Sequence, residues 1–156
     1  MAAYFLDTSA LVKRYHPEAG TPIIDQMFSE AGAEAIISRL VLVEIVSAFA
    51  LKVRSGAITT SQFEQYRRQV HRDVRKKTLR VARMAVRHFQ LADELLCRHA
   101  RAQRLRTLDA LQLAVAIDLN RALAPTTFVT ADNVLCPLAQ LEGLTVLNPV
   151  APSTTP

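Results

Sequence analysis

Asp7 closes a short apolar run, Tyr4-Phe5-Leu6, and two hydroxyls, Thr8 and Ser9, follow at once, ahead of Ala10-Leu11-Val12. The pattern describes a buried strand that delivers a carboxylate at its C-terminal end, the crevice where open α/β sheets bind ligands. Three more acids stand in apolar settings: Glu44 within Leu40-Val41-Leu42-Val43-Glu44-Ile45-Val46, Asp109 within Leu108-Asp109-Ala110-Leu111, and Asp132 after Phe128-Val129-Thr130-Ala131. An unpartnered carboxylate is costly to bury. One shared divalent-cation site accounts for four such acids more simply than four coincidences. Oxygen-only ligands select hard ions, Mg²⁺ or Mn²⁺, rather than zinc.

Each acid also has a plainer reading. Asp7 could simply cap the helix that follows it. Two other phosphate chemistries use a strand-end Asp, but a haloacid-dehalogenase-type phosphatase needs a second Asp where Ser9 stands. A receiver domain needs paired acids and a late Lys in an arrangement absent here, and no GxxxxGK[ST] loop exists. Glu44 has Val41, Leu40, Ser47 and Ala48 as its helical neighbours, so its plain alternative is a salt bridge to a distant Arg. Asp109, two residues after Thr107, could serve a helix N-terminus. Asp132, before Asn133, could be a turn or cap residue. Asp118 lies nine residues beyond Asp109, on the opposite helix face at 100° per residue, and reads as structural or solvent-facing.

The elements that must position these acids alternate between strand and helix. Residues 3–7 read as a strand, 10–15 as a short helix, and Pro22 fits the first turn of a helix to about Glu30. Residues 35–38 form a second short strand, followed by a long helix over 39–55 closed by Gly56. Thr59 or Thr60 caps the next helix, through Gln62–Lys76. Residues 78–84 alternate like a strand only in part. Residues 85–104 are helical, with Val86, Phe89, Leu91, Leu95 and Leu96 as the apolar stripe, and Thr107 caps an apolar helix through about Ala122. A strand at 126–130, a short helix at 133–141 and a strand at 144–147 complete residues 1–150 as one domain, leaving 151–156 as a disordered tail. Such alternation implies an α/β fold with a parallel sheet covered on both faces.

The 156 residues are 50% hydrophobic and 21% charged, as expected of one globular domain. The net charge of +5 suits a polyanionic partner. Nine Lys or Arg lie between Arg67 and Arg87 against one acid, Asp73. Arg68, Arg72 and Arg75 fall at i, i+4 and i+7, one helical stripe that could bind backbone phosphates with little sequence reading; a solvated helix face is the alternative. Cys97 and Cys136 sit in apolar stretches and read as reduced core residues. A signal peptide and a membrane span are both absent from the pattern, so the cytoplasm is the expected compartment.

Taken in order, these segments resemble the PIN-domain nucleases, and most closely the VapC-type toxins of toxin–antitoxin pairs. The resemblance is carried by Phe5-Leu6-Asp7-Thr8-Ser9-Ala10-Leu11-Val12-Lys13, by Ser38 through Glu44, by Leu105-Arg106-Thr107-Leu108-Asp109-Ala110-Leu111-Gln112-Leu113-Ala114, and by Val129-Thr130-Ala131-Asp132. It implies a sheet of about five strands. It implies catalytic, metal-binding acids at Asp7, Glu44, Asp109 and Asp132, supported by the hydroxyls of Thr8, Ser9 and Thr130. Gln112 stands where the family often has His. The activity implied is Mg²⁺-dependent (or Mn²⁺-dependent) endoribonuclease cleavage of RNA. The partners implied are a second copy of the chain and a small cognate antitoxin. The antitoxin's C-terminal segment would lie in a groove near Leu11 and the 39–55 helix, with an Arg or Lys reaching the acids. A PIN-type nuclease of RNA processing or DNA repair without an antitoxin, and a non-catalytic nucleic-acid-binding module, are the rival readings.

Overall fold

A computed structural model describes residues 2–122 and 126–151. The chain runs β1 (Ala3–Leu6), α1 (Thr8–Tyr15), α2 (Thr21–Ser29), β2 (Glu34–Ser38), α3 (Val41–Arg54), α4 (Thr60–Arg75), β3 (Arg80–Ala82), α5 (Val86–His99), α6 (Thr107–Ala122), β4 (Thr126–Val129), α7 (Leu135–Leu141) and β5 (Thr145–Leu147). The five strands form one sheet in the order β3-β2-β1-β4-β5, and every pair is parallel. The α/β parallel sheet expected from the alternation is therefore present. The expected tail lies, from residue 152 onward, outside the described residues.

Successive side chains of a strand point to opposite faces, and the three central strands use this to build two cores. Phe5 stands in register with Ile36 on one side and Phe128 on the other. These three are fully buried against Leu95, Leu113 and Leu138 from α5, α6 and α7. The next residues along, Leu6, Ile37 and Val129, turn the other way and pack with Leu11, Ile45 and Phe49 of α1 and α3. Each such side chain contributes roughly 1.5–3 kcal/mol when withdrawn from water. The strands read as continuous apolar runs because both faces are covered.

Local signals set most helix ends. Asp7 caps α1 by accepting from the Ala10 amide at 2.9 Å, so the helix opens at Thr8, two residues earlier than expected. Thr59 makes a reciprocal capping box with Gln62 at the start of α4. Gly56, at φ +76°, follows the end of α3 in the left-handed conformation that a side chain would strain. Residues 80–82 pair with β2 and settle the ambiguous segment as an edge strand.

Two expectations fail on α5. It stops at His99, where the Ala102 and Gln103 amides both turn back to the His99 carbonyl. Its buried face runs through His88, Ala92 and Leu95, so Val86 and Phe89 are exposed rather than part of the stripe. Polar His88 hid this register: its Nδ1 accepts from the Ala85 amide and its Nε2 meets Asp118, which makes it an acceptable core residue. Cys97 falls on the outer face of the same helix and is exposed, and both cysteines are free.

Candidate active site

The strand order reverses between β1 and β4: the chain leaves β1 toward β2 on one side, while β4 joins on the other. Such a switch point opens a crevice at the carboxyl ends of the strands. Asp7 stands there, at the end of β1, its amide donating to the Val129 carbonyl of β4 at 3.1 Å. Thr130 continues β4 and donates its hydroxyl to Asp7 Oδ2 at 2.7 Å. Ser9 donates to the same carboxylate at 2.8 and 3.0 Å. Only 6% of Asp7 is exposed. Burial pushes its carboxyl up to about 6, against the lowering pull of Thr130, the Ala10 amide and Ser9, while the charge of Asp132 adds to the rise. A metal-free protein therefore strains to keep this group ionised.

Glu44 enters from the first turn of α3. Its Oε2 accepts from the Thr8 hydroxyl at 2.9 Å and from the Gln112 side-chain amide at 2.6 Å. Gln112 is itself held from behind, where the buried Ser38 hydroxyl donates to its Oε1 at 2.8 Å. The relay Ser38–Gln112–Glu44 thus links the end of β2, the first half of α6 and the start of α3. Among the described residues no Lys or Arg lies within ion-pair distance of Glu44, so the distant-Arg alternative does not hold.

Asp109 projects from the first turn of α6, which opens at Thr107 itself rather than after it; the Arg106 carbonyl already accepts from the Ala110 amide. Its carboxylate is gripped by the Arg106 guanidinium, Nε to Oδ2 at 2.8 Å and a terminal nitrogen to Oδ1 at 3.3 Å. The same guanidinium stands 3.9 Å from Asp132 Oδ2. Asp132 Oδ1 accepts from the Val134 and Leu135 amides at 2.7 and 3.1 Å, so this acid is a turn residue as well as a pocket residue.

All four acids, with Thr8, Ser9, Gln112 and Arg106, line one cavity of about 660 Å³. Of the acids only Asp7 is buried. Glu44, Asp109 and Asp132 are half-buried, because they sit on first turns and a loop at the rim, not within the sheet. Asp118 is elsewhere: Arg87 and His88 hold it, at 2.9 Å each. Arg68, Arg72 and Arg75 are exposed on α4, and none of them lines the cavity. Leu11 is fully buried core, so it lines no groove; the apolar wall of the cavity comes from Val43 and Leu51 of α3 and from Leu108. Ser38 and Arg106 have no assigned role in the sequence patterns above, and Gln112 stands out there only as the place where the family often has His. The spacing Arg106–Asp109–Gln112, three residues each way on one helix face, was the available signal.

Among the described residues, no three acids, histidines or cysteines converge closely enough to cage an ion unaided. The donors nonetheless fit a hydrated hard cation. Mg²⁺ keeps several waters and takes one or two carboxylates directly, and this pocket offers four carboxylates with no soft ligand.

The PIN domain profile matches residues 4–141, nearly the whole chain. The chain belongs to the PIN domain family. Solved PIN-domain structures share its fold. VapBC2 from Rickettsia felis, bound to a DNA fragment from its promoter, matches at a TM-score of 0.63 and 19% identity, covering 94% of this chain and 98% of that one. FitAcB from Neisseria gonorrhoeae matches at 0.63 and 14%, covering 94% and 97%. VapC20 of Mycobacterium tuberculosis, a sarcin–ricin loop cleaving toxin, matches at 0.63 and 17%, covering 91% and 96%. No curated protein matches the sequence. Among the described residues, no helix of this PIN domain is long and apolar enough to cross a membrane.

Proposed function

We propose that this PIN domain is a Mg²⁺-dependent endoribonuclease, Mn²⁺ being an acceptable substitute, and that it acts in the cytoplasm as the toxin of a toxin–antitoxin pair. The supporting observation is the gathering of Asp7, Glu44, Asp109 and Asp132, spread over 125 positions of the sequence, into one cavity at the switch point of the sheet. A binding module would gain nothing from so much negative charge facing a polyanion.

Asp7 and Asp109 would hold the cation directly, and Glu44 and Asp132 would complete the site directly or through water. Bound there, the cation would supply an activated water and neutralise charge developing at phosphorus and at the leaving oxygen. The residues of the chain do the positioning. Thr130, Ser9 and the Ala10 amide fix both Asp7 oxygens, so the carboxylate has one orientation. Thr8 and Gln112 occupy Glu44 Oε2, leaving Oε1 to accept from a water. Arg106, more than half exposed, covers Asp109 and can turn outward to a phosphate when the carboxylate takes other company. Arg68, Arg72 and Arg75 would add phosphate contacts outside the pocket.

The same reading supplies the partners. Val43, Leu51 and Leu108, 69%, 58% and 45% exposed, form an apolar wall of the cavity that suits a segment of a small antitoxin, with an Arg or Lys reaching Asp7, Glu44 and Asp109. Val86 and Phe89 on α5 give a second copy an apolar surface to cover, which light scattering tests directly. The deciding experiment is RNA cleavage by the purified chain with and without Mg²⁺, beside growth on expression alone and with its small neighbouring reading frame. Metal-dependent cleavage, toxicity and rescue are expected. Cleavage without toxicity moves a housekeeping PIN nuclease ahead, and RNA binding without cleavage moves a binding module ahead.

A further inference from the structure

Arg39 directly follows β2 and Arg83 directly follows β3. These strands are in register at their ends, Ser38 opposite Ala82, and the Arg39 amide donates to the Ala82 carbonyl at 3.3 Å. Two guanidiniums therefore leave adjacent strands at the sheet end that carries the acid pocket. Both are exposed, and neither has an ionic or hydrogen-bonding side-chain partner among the described residues. The other cations that line the cavities these two share or adjoin are answered: Arg106 by Asp109, Arg87 by Asp118, Arg80 by Glu34 and Lys52 by Glu18. Like charges on neighbouring strands repel, and among the described residues no acid pairs with either arginine.

With Leu40, Val43 and Met84, the two arginines wall a shallow trough of about 570 Å³. Leu40 and Val43 also line the acid pocket, so the two depressions are contiguous. One end of this continuous surface is acidic and the other carries two unpaired arginines. We propose that the trough seats the substrate backbone on one side of the scissile bond, with Arg39 and Arg83 each binding a phosphate of single-stranded RNA. This inference rests on the nuclease reading and gives it a direction: the strand crosses the acids and runs toward the β3 edge. No aromatic residue lines the trough, so it has no ring on which to stack a base and holds the backbone with little base preference.

The test uses the whole chain carrying Asp7→Asn to stop cleavage, and a labelled single-stranded RNA of mixed sequence, with affinity followed over a salt series. Arg39→Ala with Arg83→Ala should weaken binding about tenfold at low salt. It should also reduce the slope of log affinity against log salt by roughly 1.4, at about 0.7 per phosphate contact on single strands. Arg39→Lys with Arg83→Lys keeps both charges and should retain most of the slope, which separates lost charge from a misfolded edge. Parent-like affinity and slope in the alanine variant would overturn the proposal and leave the trough to an acidic segment of a partner protein. Failure of the parent to bind RNA would overturn it as well. Cleavage in the background with intact acids is read separately: there the alanine pair should raise KM and leave kcat within about twofold. An inactive parent with intact RNA binding defeats the nuclease reading while the salt series still decides the trough.

Discussion

Gln112 hands its side-chain amide to Glu44 at 2.6 Å while taking the Ser38 hydroxyl at 2.8 Å, and so fixes a pocket carboxylate without itself being charged. A His at this position could donate to Glu44 through one ring nitrogen and accept from Ser38 through the other. Gln112→Leu should leave the buried Ser38 hydroxyl and a half-buried carboxylate oxygen short of a partner. The expected cost is about 1–3 kcal/mol of stability and a 10- to 100-fold loss of metal affinity or activity. Gln112→His should restore most of both. Thermal melts and Mn²⁺ titration check this, and a fully active leucine variant would remove Gln112 from the site.

Asp7→Asn and Asp109→Asn should each abolish metal-dependent RNA cleavage in a folded protein. Asp118→Asn should cleave normally, because Asp118 lies outside the cavity. It should melt earlier, since it weakens the contacts to Arg87 and His88. Full activity in either of the first two variants defeats the assignment of the acids.

Asp7 also makes a pH prediction for the metal-free protein. Its carboxyl lies at about 6 in the folded chain against 3.8 in the reference state. Between these values the native state keeps a proton that the unfolded chain has released, so this group's contribution to stability falls as pH rises through that window. The loss is on the order of 3 kcal/mol at about 1.4 kcal/mol per unit. Asp7→Asn removes the titration, so its gain in melting temperature over the parent should be small near pH 4 and larger at pH 7. Mg²⁺ should shrink the gain at pH 7, because the cation favours the ionised parent. A gain independent of pH would mean that burial does not control this carboxyl.

Neutralising Arg68, Arg72 and Arg75 together should weaken RNA binding and flatten its salt dependence while leaving Mn²⁺ affinity unchanged. The stripe faces solvent on α4, away from the cavity wall. An unchanged salt slope would show that it is only a solvated helix face.

Much of the architecture was legible because the signals were local. The apolar runs ending in Asp7 and Thr130, the Thr59–Gln62 box and Gly56 each act within a few residues, and strand–helix alternation then restricts the sheet to parallel pairing. The four acids could be identified singly, but not their unequal burial. Depth depends on whether a carboxylate caps a helix under the sheet, as Asp7 does, or rides a first turn at the rim, as Glu44 and Asp109 do. The α5 register was lost because a polar residue, His88, takes a core position whose partners come from Ala85 and from Asp118, thirty residues on. Gln112 stands out in the sequence only as a departure from the family's usual His, and its role in the site is hidden for a similar reason. An uncharged amide within an apolar helix shows its purpose only when Ser38 and Glu44 arrive from other elements.

Asp7 and the hydroxyl that holds it are 123 positions apart, and that spacing has a consequence for synthesis. Chains emerge at roughly 5–20 residues per second, so Asp7 leaves the ribosome many seconds before Thr130. Until β4 is out, β1 has β2 on one side and nothing on the other. A chain cut short before β4 would carry Asp7, Glu44 and Asp109 but no crevice to gather them. On the toxin reading proposed above, unfinished or truncated copies should therefore be harmless to the cell that makes them, and a restraining partner would be needed only once the last two strands have been translated.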